Sequence, residues 1–127
     1  MRAVDTNVLV RLLTGDDPAQ TAVAEEFVRK GAWVSHVVLA EAVWVLGSFF
    51  RRTAKQIASS VESLLLHGEV SVQDTDVVIA ALAQFRANSG IAFSDCLILE
   101  IARKAGHLPL GSFDRQLAKL DGAQLIS

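Results

Sequence analysis

Short apolar runs alternate along the chain with longer stretches in which apolar residues return every three or four positions. The runs place strands near Arg2–Asp5, Ala32–Ser35, Val70–Val72, Leu108–Gly111 and Gln124–Ile126. The longer periodicity predicts helices over Thr6–Leu13, Pro18–Lys30, His36–Phe50, Ala54–Leu66, Asp74–Asn88, Ser94–Ala105 and Phe113–Leu120. Strands separated by helices indicate an α/β fold with a mostly parallel sheet. Several helices follow one another with no strand between, so a regular doubly wound unit is not expected. His36–Phe50 and Ala54–Leu66 read as a helical hairpin. The two prolines are punctuation. Asp17 caps a helix whose first position is Pro18. Pro109 withholds a backbone donor, which puts it at a strand start or on an edge.

A chain of 127 residues suits one domain spanning 1–127. With 51% apolar and 20% charged residues it is not a disordered chain. No apolar run reaches the roughly 18 residues that would cross a bilayer. Val8–Leu13 is interrupted by Arg11 and makes a poor signal peptide, so no membrane role is expected and the cytoplasm is the default location. Cys96 is the sole cysteine and lies in Cys96-Leu97-Ile98-Leu99. It reads as a small buried hydrophobe. The net charge of −2 is not that of a dedicated nucleic-acid binder.

Most acids fall among polar or terminal positions and read as solvated surface. Glu100 and Lys104 stand four apart, in the order that suits an exposed helical pair. Four acids differ. Asp5 follows the first strand where a helix begins, a place where ligands gather in open α/β sheets and also an ordinary cap position. Glu41 has Val37, Val38, Trp44 and Val45 as its helical neighbours, so it is expected to face a core or a cleft. A carboxylate there needs a partner: a buried arginine, with Arg2 and Arg11 available, or a functional ligand. Asp95 opens a helix with Ile98, Leu99 and Ala102 on its own face, a position the helix dipole also favours. Asp114 repeats the Asp5 pattern after Leu108–Gly111, with Ser112 expected as the helix cap. Acids gathered together repel unless something positive lies between them, and a hard divalent cation suits oxygen ligands.

The residues around these acids resemble the PIN domain, particularly the VapC-type toxins of bacterial toxin–antitoxin pairs. Val4-Asp5-Thr6-Asn7-Val8-Leu9 is similar to that family's opening motif. Leu39-Ala40-Glu41 matches the second acid and Phe93-Ser94-Asp95-Cys96-Leu97-Ile98 the third. Gly111-Ser112-Phe113-Asp114 matches the fourth region, with serine where threonine is more usual. That exchange keeps the hydroxyl. The resemblance runs over essentially the whole chain. It implies a small α/β/α sandwich around a short-stranded, mostly parallel sheet, and a Mg²⁺- or Mn²⁺-dependent endoribonuclease acting on transfer or ribosomal RNA. It also implies a VapB-like antitoxin as partner, and a homodimer. Asp5, Asp95 and Asp114 would be the main metal ligands. Glu41 would hold a second ion or orient the attacking water. Asn7 and Ser112 would orient carboxylates, and Thr6 would do the same or only start its helix.

With the four acids on a cation, the remaining ten face twelve basic residues, so RNA binding is compatible with the charge. His36, His67 and His107 are scattered, lack metal-ligand spacing and read as structural or surface residues. Arg51, Arg52 and Lys55 form a basic cluster in the hairpin turn, either a solvated turn or a track for phosphates. Trp33, Trp44, Phe49 and Phe50 belong to the core or to an interface, and the resemblance points to this hairpin as the antitoxin groove. Three other readings compete. A haloacid-dehalogenase-type phosphatase wants an aspartate where Asn7 stands. A receiver domain wants a lysine after a late strand, and Leu108–Gly111 has none. A catalytically silent PIN-fold RNA-binding or scaffold protein would not need all four acids.

Overall fold

Strands of two or three residues leave most of the burial to helices. A computed structural model describes the whole chain, Met1–Ser127. The elements are β1 (Arg2–Ala3), α1 (Thr6–Thr14), α2 (Pro18–Val28), β2 (Ala32–Val34), α3 (His36–Ser48), α4 (Ala54–Leu65), β3 (Val70–Val72), α5 (Thr75–Ala87), α6 (Phe93–Ala105), β4 (Leu110–Ser112) and β5 (Ala123–Leu125). They fall into two compact units, Met1–Thr75 and Asp76–Ser127. The α/β class is as expected, and every strand pair is parallel.

The first unit carries a three-stranded sheet in the order β1-β2-β3. Parallel neighbours need a crossover, and each is made by two successive helices, α1–α2 and then α3–α4. On β2, Ala32 and Val34 are fully buried while Trp33 between them is partly exposed, the alternation of a strand with one covered face. Local chemistry fixes the helix starts. Asp17 accepts from the Gln20 amide with Pro18 in the first helical position, as the sequence indicates. Thr53 and Gln56 close a reciprocal capping box at α4. α1 packs on both α2 and α3, and α3 packs on α4 as the expected hairpin. Leu9, Leu39, Leu46, Val28 and Val61 fill the core between them.

In the second unit, Val78, Ala81, Phe93, Cys96 and Leu99 are buried. Phe85 and Phe93 meet edge to face with centroids 5.8 Å apart. β4 and β5 pair as a two-stranded parallel sheet, so the strands expected to share one sheet form two sets. Pro109 stands just before β4, and the first ladder bond runs from the Leu110 amide to the Gly122 carbonyl at 2.8 Å. The strand starts where a donor becomes available. The helix expected over Phe113–Leu120 is reduced to one 3₁₀ turn at Leu117–Lys119. Only Leu117 and Leu120 are buried there, too narrow an apolar face to hold a longer helix.

Glu100 also departs from expectation. It does not form an exposed pair with Lys104. It is buried, accepts from Arg103 Nε at 3.1 Å, and Lys104 reaches Asp76 at 3.1 Å instead. The Arg103 guanidinium also donates to the Asp121 carbonyl at 2.6 Å, tying α6 to the turn before β5.

Candidate active site

Two of the expected site acids lie in the first unit and two in the second. β1 delivers Val4 to the interior, and the extended backbone at Asp5 turns the chain into α1. Asp5 is exposed, and its Oδ1 accepts from the Val8 amide at 3.1 Å. The cap uses one of the carboxylate's roughly four lone-pair positions and leaves the others open. Asp5 and Asn7 stand on the wall of a cleft of about 470 Å³ between α1 and α2, floored by Val8, Val23 and Phe27. Arg11 borders the same cleft but is engaged by Gln20 at 2.6 Å and Asp16 at 3.2 Å, not by Asp5. Thr6 begins α1.

Glu41 corrects the sequence reading. It is exposed, and so are its neighbours Val37 at 67% and Trp44 at 71%. The buried stripe of α3 is Leu39, Ala42, Val43 and Leu46, the i, i+3, i+4, i+7 set on the other side. An apolar surround therefore signalled an exposed apolar face and not a core. No arginine neutralises Glu41. Arg2 donates to the Phe27 carbonyl and lies over the Phe27 ring, and Arg11 is engaged as above.

In the second unit Asp95 occupies the first turn of α6, whose cap residue Ala92 supplies no side-chain acceptor. Asp95 is half-buried and forms no ion pair. Burial pushes its carboxyl above the ordinary range, and the charge of Asp114 pushes it further. Asp114 is exposed. Its Oδ1 accepts from the Gln116 and Leu117 amides at 2.8 and 3.2 Å, so the side-chain acceptor at this turn comes from Asp114 and not from Ser112. The Ser112 hydroxyl instead accepts from the Asp114 amide at 3.0 Å. It holds the backbone that carries the carboxylate, one step removed from the expected contact.

These carboxylates suit a hard cation. All four are without a basic partner, and Asp95 bears an uncompensated like-charge neighbour. Within neither unit do three His, Cys, Asp or Glu side chains gather around one point. The histidines stand apart from these acids' chemistry: His36 is buried with Nε2 unpartnered, His67 Nδ1 accepts from the Glu69 amide, and His107 is exposed. The sequence gives little sign of the cleft beside Asp5. Its only sequence signal was Ala19, Val23 and Phe27 recurring at four-residue spacing on α2.

The family model of the PIN domain matches residues 2–123. The chain belongs to the PIN domain family. All four acids lie inside the match, which covers both units and excludes the phosphatase and receiver readings. PIN domains are commonly nucleases and generally use divalent metals. A search of characterised proteins gives no significant match to this PIN domain. No helix in it is long and apolar enough to cross a membrane.

Proposed function

We propose that this PIN domain is a Mg²⁺- or Mn²⁺-dependent endoribonuclease and the toxin of a VapC-type toxin–antitoxin pair. The observation that carries the reading is Asp95, a half-buried acid facing the charge of Asp114 with no cation of its own. Such an arrangement is unfavourable in isolation and becomes favourable around a divalent ion. Asp5, Asp95 and Asp114 are the proposed ligands, with Glu41 taking a further ion or orienting water. A bound divalent cation supplies charge to the scissile phosphate and makes a water easier to deprotonate. The chain's own part is to hold carboxylates in place. The Val8 amide fixes Asp5, the Gln116 and Leu117 amides fix Asp114, and Ser112 fixes the Asp114 backbone. Asn7 stands beside Asp5 and can donate to its free oxygen or to substrate.

The proposed substrates are structured RNAs, transfer or ribosomal. The exposed apolar residues of α3, with Phe49 at 75% beyond its end, support a protein partner there. A VapB-like antitoxin and a second copy of the chain are the partners the reading names.

The test is incubation of the purified protein, free of any partner, with total bacterial RNA and Mg²⁺ or Mn²⁺, followed by mapping of new RNA ends. Discrete cuts that vanish with EDTA and with Asp5→Asn are expected, the variant melting no lower than wild type. No cuts, together with no saturable Mn²⁺ binding, would replace this reading with a silent RNA-binding or scaffold protein.

A further inference from the structure

Helix α4 buries Ile57, Ala58, Val61 and Leu64. Gln56, Ser59, Ser60 and Ser63 recur at helical spacing along a different flank. That flank is one wall of a cleft of about 500 Å³, with Leu12 and Val70 among its apolar lining. Arg52 and Lys55 also line it near the start of the helix, and His67 lies beyond the helix's end. None of these residues borders the cleft that holds Asp5.

The backbone fixes the basic end. Arg51 adopts φ +54°, a left-handed conformation costly for a residue with a Cβ. The next amide, of Arg52, returns to the Leu46 carbonyl at 2.9 Å. The capping box at Thr53 and Gln56 then starts α4. Arg52 is half-buried and Lys55 exposed, and neither has a carboxylate partner. Arg11, Arg29, Arg103 and Lys104, by contrast, are all paired. At the other end, His67 Nδ1 accepts from the Glu69 amide at 3.1 Å. The proton of the neutral ring therefore sits on Nε2, as a further donor. Set against these donors is a single carboxylate, Glu25 on the α2 side.

A wall of guanidinium, ammonium, hydroxyl, amide and imidazole donors matches a ligand with several anionic oxygens. Apolar floor residues suit the ribose and base attached to it. We propose that this cleft is a docking subsite for the RNA backbone, with a phosphate held by the Arg52 fork and Lys55. The assignment of RNA, as against a free phosphoanion, rests on the nuclease reading above. The subsite would anchor substrate away from the scissile bond and so act on binding and not on the chemical step. Of the hairpin's basic cluster, this gives Arg52 and Lys55 a role and leaves Arg51 as the residue that turns the chain.

The experiment uses the full chain in EDTA, where no cleavage occurs. Backbone amide shifts are followed during titration with pyrophosphate and with a short 5′-phosphorylated RNA. Saturable shifts centred on Lys55–Ser60 are expected with both. They should be lost in Arg52→Gln/Lys55→Gln, which keeps the helix and its polarity. With that phosphate no longer neutralised, the slope of log K against log salt for the RNA should also fall by about 0.7. Glu25→Gln should tighten both ligands. Absence of saturable shifts at α4, or an unchanged salt slope in the double variant, would overturn the subsite. Saturation by pyrophosphate with RNA binding unaffected by the variant would overturn RNA as its ligand. Because the readout is binding, a protein that docks RNA here yet cuts none with Mg²⁺ would defeat the nuclease reading and leave the subsite standing.

Discussion

Arg103→Ala is the perturbation whose cost the structure defines best. Glu100 is 7% exposed, and Arg103 is its only basic partner, with Nε 3.1 and 3.4 Å from the two carboxylate oxygens. Removing one member of a buried pair typically costs about 3–5 kcal/mol, because the other charge stays buried alone. The Arg103 side chain is 35% exposed, so water can reach part of the space it leaves, which favours the low end. The variant also removes the donor to the Asp121 carbonyl, an exposed group that water can satisfy, so little is added there. A loss of about 3 kcal/mol is expected, or roughly 10 °C in melting temperature for a chain of this size. Urea unfolding at pH 7 measures it. The double variant Arg103→Ala/Glu100→Gln removes the stranded charge and should recover about half of the loss, a coupling that a double-mutant cycle reads directly. A cost below about 1 kcal/mol for the single variant, or a double variant as costly as the two singles summed, would refute the claim that this pair is desolvated and coupled.

Three further outcomes are expected. Gly122→Ala should destabilise by about 1–2 kcal/mol, since Gly122 has φ +94° and a Cβ there would lie 2.9 Å from the Arg103 guanidinium; an unchanged urea midpoint would contradict it. The Asp95 carboxyl is raised in the folded state, so its contribution favours folding below the unfolded value of about 3.8 and is lost as pH climbs through the raised one. Asp95→Asn should therefore raise the melting temperature of metal-free protein at pH 7 but not at pH 3. Saturating Mg²⁺ should reverse that order, stabilising wild type by about 2.7 kcal/mol at a hundred times Kd, and calorimetry showing no reversal would remove Asp95 from the ligand set. Cys96 is fully buried and its thiol is pushed up to about 11, by burial first and then by Asp95 and Glu100. Alkylation of the native protein at pH 8 should be at least roughly 100-fold slower than in urea; fast labelling of folded protein would be inconsistent with that burial.

How much of this was legible depended on whether a residue's environment was written in its own neighbourhood. The cap at Asp17, the strand Val70–Val72 and the burial of Cys96 are local facts, and local pattern yields them. The Phe113–Leu120 helix was not legible, because a three-residue turn with two buried leucines has the same spacing as the start of a longer helix. The Glu100–Arg103 pair was missed because the Arg103 guanidinium is anchored on the Asp121 carbonyl, eighteen residues away in sequence. Glu41 is the instructive case. α3 is apolar on nearly every side, so periodicity cannot say which side is covered, and the uncovered one carries Glu41 between Val37 and Trp44. The correction changes what the acids can do and not whether they serve. Exposed carboxylates such as Asp5, Glu41 and Asp114 are accessible to an ion. At Asp95 burial and the neighbouring Asp114 oppose the charge. Under the metal reading, Asp95 is therefore where a cation relieves most strain, and its removal should weaken metal binding while strengthening the empty fold.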